Sequence, residues 1–273
     1  MSAQLALGWL AFFICLGAAL AVSNVTFDRL ADGSTKLGDY VQVMMPNLKW
    51  AHLFDNVKTD GSIAYWFYGF KRWAIEISQS LEMAMLATIF GFVGALIWSF
   101  PAARNLQVPG VVTWFVRRFL EICRSIPDIA LALILVFAFG IGPAAGVLAI
   151  SIHTTGSLGK LFSEVHENID LRPVEGVLAS GGGWIQRMRF GVVPQVLPNL
   201  VSYALLRFEY NVAASTVVGV VGAGGIGTEL RKWIDLNAPQ DSLAIILMII
   251  VVIFAIDLSS ERLRTQFQSG ARV

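Results

Sequence analysis

Residues 81–100 read LEMAMLATIFGFVGALIWSF, a run whose one ionisable side chain is Glu82. An α-helix rises ~1.5 Å per residue, so about 20 apolar residues cross ~30 Å of hydrocarbon. Inside a bilayer the backbone has no water to bond, and a helix satisfies its polar groups within one segment. The stretch is therefore predicted as a transmembrane helix, stopped by Pro101 and followed by Arg104.

Similar runs lie on both sides of it. Leu5–Val22 is the first. Its Ala19-Leu20-Ala21 looks like a signal-peptidase site, yet no Lys or Arg precedes the run as a secretory leader would require. A retained helix and a cleaved peptide compete, and the retained helix is the expectation. Residues 24–78 are polar, with Asp28, Arg29, Asp32, Lys36, Asp39, Lys49, Asp55, Lys58 and Asp60. Their tail, Ile63–Trp73, is rich in Tyr, Trp and Phe and ends in Lys71-Arg72, the pattern of an interfacial helix. Beyond residue 100, a long helical pattern runs from Val112 to Phe139, its charged part (Arg117, Arg118, Glu121, Arg124) preceding the apolar core Ile129–Phe139. Gly140-Ile141-Gly142-Pro143 is a predicted tight turn. Ala144–Phe162, Val196–Val221 and Leu243–Leu258 complete the set. The expected fold class is all-α: a polytopic membrane protein of about six transmembrane helices. Residues 1–77 would hold the first span and a periplasmic or interfacial segment, and residues 78–273 the main transmembrane domain.

The bulk numbers agree. Hydrophobic residues make up 56% of the chain and charged residues 14%, where a soluble domain carries roughly a quarter charged. A net charge of +1 gives no basic field for nucleic acid. Cys15 and Cys123 form neither a disulfide framework nor a metal-ligand spacing, so no metal site is expected. Cytoplasmic loops are enriched in Lys and Arg. Placing both termini inside puts Arg104, Arg117, Arg118, Arg124, Lys160, Arg172, Arg187, Arg189, Arg262, Arg264 and Arg272 there, against Arg29, Lys36, Lys49, Lys58, Lys71, Arg72, Arg231 and Lys232 outside. The bias is modest, and Lys71-Arg72 runs against it.

The connector 171–200 reads LRPVEGVLASGGGWIQRMRFGVVPQVLPNL. Pro173 suits a helix start, where its missing N–H costs nothing. Val174–Ser180 is predicted as a short helix ended by Gly181-Gly182-Gly183, and a second amphipathic helix runs from Trp184 until Pro194 stops it. Two helices around a glycine break make a compact cytoplasmic knob that can pass force to the spans. Read alone, an ordinary polar loop fits equally.

Glu175-Gly176-Val177, Gly181 and Val193-Pro194 resemble the "EAA" loop of type I ABC importer permeases, with Gly176 and Val177 in place of two alanines and Val193 in place of a leucine. Arg124-Ser125-Ile126-Pro127, Gly140-Ile141-Gly142-Pro143, Ile152-His153-Thr154-Thr155-Gly156, Arg207-Phe208-Glu209-Tyr210-Asn211-Val212 and Val221-Gly222-Ala223-Gly224-Gly225-Ile226-Gly227 look, in that order, like the phosphonate-importer permeases. The resemblance spans roughly 78–268. Where that subfamily commonly carries a basic residue, two after Asn211, this chain has Ala213. The resemblance implies an inner-membrane permease for phosphonates or related phosphorus oxyanions (phosphite, hypophosphite, phosphate). Implied partners are an ABC ATPase subunit dimer, a periplasmic substrate-binding protein that sets most of the selectivity, and a second copy or a paralogous permease. Membrane lipid is the remaining partner. The loop 171–194 would dock into the ATPase through Glu175, Gly176, Val177 and Gly181; a solvated first-turn carboxylate is the plainer reading of Glu175.

Within the spans, a lone charge costs roughly 2.5–3.5 kcal/mol at mid-membrane. Arg207 should therefore face a substrate route, or pair with Glu209 or another span. His153, Thr154 and Thr155 offer an imidazole and two hydroxyls to phosphoryl oxygens, although membrane threonines often bond the preceding turn. Asn211 and Ser215 are companions about one turn apart. Gly222, Gly224, Gly225 and Gly227 follow a membrane span and lack the strand–turn–helix setting of a dinucleotide fingerprint; close packing or an outer gate is expected. Gly156–Lys160 fails as an ATP loop, because Leu161 stands where Ser or Thr is required. No catalytic residue and no cofactor bound by this chain is expected; ATP and Mg would be used by the partner ATPase. An ion-coupled secondary transporter of a small anion is the competing reading, but Arg207, Glu209 and Asp257 form no repeat-related pair. An intramembrane enzyme would need a third member beside His153 and Ser151 or Ser157.

Overall fold

The computed structural model describes residues 3–23 and 26–270, and among them every regular element is helical. The chain divides into two compact units, residues 1–66 and 67–273.

In the first unit, α1 (Ala3–Ser23) is apolar along its whole length and buries none of it. α2 (Phe27–Met44) starts at Thr26, whose hydroxyl accepts from the Arg29 amide at 3.4 Å. A 3₁₀ turn (Trp50–His52) follows, and α3 (Ile63–Trp66) closes the unit. The loop between them is pinned by Lys49, whose amide donates to Gly61 O and whose ammonium lies 2.8 Å from Asp60.

The second unit is built around α4 (Phe70–Ala102), which contains the expected span 81–100 and carries Pro101 in its last turn. α5 (Gly110–Ser125) and α6 (Asp128–Phe139) follow, then α7 (Pro143–Glu167), the short α8 (Arg172–Ala179) and α9 (Trp184–Gln186). α9 leads through a π-helical turn, Arg187–Val192, into α10 (Val193–Val218), and a second π turn, Gly219–Ala223, ends that run. α11 (Ile226–Asp235) and α12 (Pro239–Gly270) complete the chain.

Helices come close where side chains are small, the usual device for packing without a hydrophobic driving force. A methyl on Gly94 would lie 2.7 Å from the Thr155 hydroxyl, joining α4 to α7. One on Gly156 would lie 2.6 Å from the Arg124 amide, joining α7 to α5. Alanines 87, 132, 149, 214 and 223 fill one core cluster with Met83, Val147, Ile150 and Val218. Large apolar side chains face outward instead, Phe137 at 95% exposure among them, as a lipid-facing surface requires.

Two expectations are corrected. The pattern 112–139 is two helices bent by 87°, not one. Ile126 precedes a proline, which disfavours helical backbone there; its φ of −84° and ψ of 122° are extended, and Pro127 opens α6. Pro194 does not stop the helix from Trp184. The π turn immediately before it shifts the bonding register, so the run Trp184–Ala223 continues for 40 residues past both Pro194 and Pro198. Four helices, or five if the bent pair counts once, are long and apolar enough to span a bilayer, so about six is an approximate count.

Candidate functional site

The run through α9 and α10 carries a distinct structure at each end. At its start, α8 packs on the first π turn: a methyl on Gly191 would lie 2.9 Å from Val174 Cα. Asp170 N–H donates to Gln195 Oε1 at 3.1 Å, and Gln195 Nε2 donates back to Asp170 O at 3.0 Å. Gly181 takes φ +82° and its amide donates to Leu178 O at 2.9 Å, while Gly182 N–H reaches Val177 O. The glycine break expected after α8 is thus a left-handed helix end.

The base of this knob is strapped to the neighbouring helix ends. Trp184 Nε1 donates to Leu106 O at 3.2 Å, and Arg187 Nη1 to Gln107 Oε1 at 2.7 Å. His166 stacks on Phe100 at 4.6 Å between ring centroids, and Asn105 Nδ2 donates to His166 O at 2.8 Å. Arg117 donates to Ala102 O at 2.8 Å and pairs with Glu167. Arg117 thus has its partners within the chain. Beneath lies a core of Leu106, Leu158, Phe162, Met188, Val192, Val196 and Leu200. The tip is bare by contrast. Glu175, Gly176 and Gly181 are exposed, Val177 is half-buried, and nothing lies within 4 Å of a methyl built on Gly176 or Gly181.

At the far end of α10 the chain reverses through glycine. Gly222, Gly224 and Gly225 take φ of +100°, +89° and +70°, values that favour glycine. Gly225 N–H donates to Gln79 Oε1 at 2.9 Å, Ile226 N–H to Ser80 Oγ at 3.0 Å, and Gly142 N–H to Gly222 O at 3.1 Å. A methyl on Gly227 would meet Val220 N at 2.7 Å. These four glycines form a closely packed seam against α4 and the turn 140–143. Beside it, Arg72 pairs with the buried Glu229, and burial pushes the neighbouring Tyr68 phenol up to about 12.

Between the two ends, α4, α7 and α10 share a polar layer. Asn211 Nδ2 donates to Thr88 Oγ1 at 2.9 Å, Thr154 Oγ1 donates to Asn211 Oδ1 at 3.2 Å, and Arg207 Nε donates to Thr154 Oγ1 at 3.4 Å. Thr154, Asn211 and Ser215 are fully buried. Thr155 donates to Ser151 O at 2.8 Å and Ser215 to Val212 O at 2.7 Å, each within its own helix. Arg207 and Glu209 do not pair with each other. The Arg207 guanidinium sits 4.2 Å above the Tyr210 ring, and Glu209 pairs with Arg264 of α12 at 3.1 Å. His153 Nδ1 faces Asp128 Oδ1 at 2.7 Å, and Tyr210 OH donates to Asp128 Oδ2 at 3.4 Å. A groove of about 490 Å³ opens at the α5–α6 bend between Arg124, Asp128, His153, Tyr210 and Ala213.

Sequence reasoning did not single out Asp128, Tyr210 or Thr88. An Asp one residue beyond Pro127 reads as an ordinary first-turn acid, and nothing in the linear pattern points to a histidine 25 positions on. Among the described residues no cluster of His, Cys, Asp and Glu is arranged to hold a metal ion.

The fold defines a helical protein with several helices long and apolar enough to cross a membrane. The chain belongs to the family described as "Binding-protein-dependent transport system inner membrane component", whose profile matches residues 88–272. It is 38% identical over 202 residues to the phosphite transport system permease protein PtxC of Stutzerimonas stutzeri, covering 74% of each chain. It is 35% identical over 189 residues to the phosphate-import permease protein PhnE of Mycolicibacterium smegmatis, covering 69% of this chain and 36% of that one. An inward-facing structure of the MetNI methionine ABC transporter shares the fold, with a TM-score of 0.62, 21% identity and coverage of 70% of this chain and 94% of that one.

Proposed function

We propose that this chain is the membrane subunit of an ATP-driven importer for phosphonates or related phosphorus oxyanions, phosphite foremost, and that it carries no ATPase site of its own. The observation that supports this most directly is the knob 171–192: a bare tip on a base that Trp184 and Arg187 bond to the connection between α4 and α5 and that Met188 and Val192 pack against Leu158 and Phe162 of α7. Such a part can transmit a push, because moving it independently of the spans would require those bonds to break. Two ATPase subunits closing on ATP and Mg would press the tips carrying Glu175, Gly176, Val177 and Gly181. The displacement would pass along the run Trp184–Ala223 to the glycine seam. With a second copy of this chain, or a paralogue, completing the route, that motion opens the outer side to a loaded periplasmic binding protein. Hydrolysis restores the inward-facing state, and no covalent chemistry falls to this chain.

The phosphorus assignment draws support from relatives named for phosphite and phosphate import. The test is co-purification. The affinity-tagged chain should bring down an ATPase whose turnover rises when binding protein loaded with phosphite is added. Stimulation by loaded proteins of other substrate classes alone would contradict the assignment.

A further inference from the structure

The groove at the α5–α6 bend mixes charges in a way that a simple anion hole would not. Arg124 is exposed at its rim, and Tyr210 is half exposed along its wall. His153 and Asp128 line it with side-chain exposures of 15% and 8%. Ala213 leaves open space opposite them. Ionisable groups placed against lipid cost several kcal/mol, so the face bearing this groove is expected to meet a substrate route or a partner subunit rather than lipid.

An ionised carboxylate only accepts hydrogen bonds, and its two oxygens offer about four lone-pair positions. The Tyr210 hydroxyl, at 3.4 Å, occupies one position on Asp128, and His153 Nδ1 lies 2.7 Å from the other oxygen without a hydrogen bond to it. Capacity remains for a further donor. A fully deprotonated oxyanion has none to give and would meet the carboxylate with like charge. A phosphorus oxyanion that keeps one P–OH can donate that proton to Asp128 while its other oxygens accept from Arg124 and from the Tyr210 hydroxyl, whose single proton turns from Asp128 to the anion.

We propose that this groove is a subsite for phosphorus oxyanions bearing a P–OH, in which Asp128 accepts the hydroxyl hydrogen bond and so sets specificity. The inference rests on the importer reading above. It separates phosphite, whose monoanion retains a P–OH, from hypophosphite, whose P–H bonds cannot donate. Leaving a buried acceptor unmatched should cost at least about tenfold in affinity.

The experiment uses the permease–ATPase complex in lipid nanodiscs without binding protein, so that only this chain selects. Radiolabelled phosphite is displaced by unlabelled phosphite or by hypophosphite. The wild type should prefer phosphite by about tenfold. Asp128→Asn, whose amide can donate to a bare oxygen, should bring the ratio to one or below. Tyr210→Phe guards against a folding defect in that variant, since its ring can stay beneath Arg207: it should weaken both anions about equally and keep the ratio. A wild-type ratio near one, a ratio unchanged in Asp128→Asn, or no phosphite binding overturns the subsite. Phosphite uptake by the same complex in proteoliposomes with binding protein reports on the importer reading separately. Uptake with an unchanged ratio sinks the subsite alone, whereas absence of uptake for every phosphorus oxyanion sinks both.

Discussion

At and just beyond the two ends of the 40-residue run Trp184–Ala223, glycines are used to opposite effect. At the knob, Gly176 and Gly181 face open space; at the seam, Gly219 and Gly227 face backbone. A methyl on Gly219 would sit 2.5 Å from Gly224 O and 3.0 Å from Gly227 Cα. Glycine at the knob's tip, Gly176 and Gly181, leaves surface bare for something else to cover, and at the seam it lets the chain cover itself. A mechanical part needs both, a face that can be gripped and a joint that closes tightly.

Substitutions can break that comparison, and the seam should give the largest effect. Gly227→Val forces a side chain against Val220 N and the Gly219 carbonyl carbon, at 2.7 and 2.8 Å from its first carbon alone. Overpacking of this kind costs about 1–3 kcal/mol, and more where backbone must move. Uptake should be abolished and the melting temperature of the purified complex should fall. Glu175→Lys should come next. The side chain is exposed, so membrane insertion and melting should stay unchanged while uptake falls about tenfold through lost docking. Unchanged uptake would refute the docking role.

Between the ends, Arg264→Ala removes the cation beside the Glu209 carboxylate, which is 16% exposed and keeps only its hydrogen bonds to neighbours such as Ser260. A loss of about 1.5–3 kcal/mol is expected, most of it recovered in the Arg264→Ala, Glu209→Gln double variant. Chemical denaturation of the reconstituted chain measures it. The smallest effect sharpens the comparison. Gly176→Ala meets nothing within 4 Å, so stability should change by no more than about 0.5 kcal/mol, with transport retained. Gly182→Ala, six positions on, would press within 2.6 Å of Val177 Cγ1 and 2.7 Å of its carbonyl oxygen, and should lower both.

What the linear pattern reveals follows from what is local. Residues 81–100 announce themselves because a near-absence of charge over the length of a bilayer has few other meanings. The helix at 172–179 and its glycine end are less plain: Pro173 and Gly181 act through their own backbone angles, but the stretch alone fits a polar loop equally. Proline is less transparent. Pro127 ends a helix because its predecessor is extended, whereas Pro194 is absorbed by a π turn that no residue preference foretells. The pairing of charges is the least legible. Arg207 and Glu209 stand two apart, and side chains at that spacing point to different helix faces. Each finds its partner by tertiary packing instead, Glu209 on α12 and Arg207 at Thr154 and the Tyr210 ring. Asp128 and His153 meet only because the bend at Pro127 turns α6 toward α7.

The account depends on the knob tip being held by an ATPase on the cytoplasmic side. Position 175, made cysteine in a chain whose Cys15 and Cys123 have been replaced by alanine, tests it in the assembled transporter. A short bifunctional cross-linker should join that residue to the ATPase subunit, and an impermeant thiol reagent added to intact cells should not reach it. Labelling from outside the cell, or no cross-link in a complex that still transports, would contradict the mechanism.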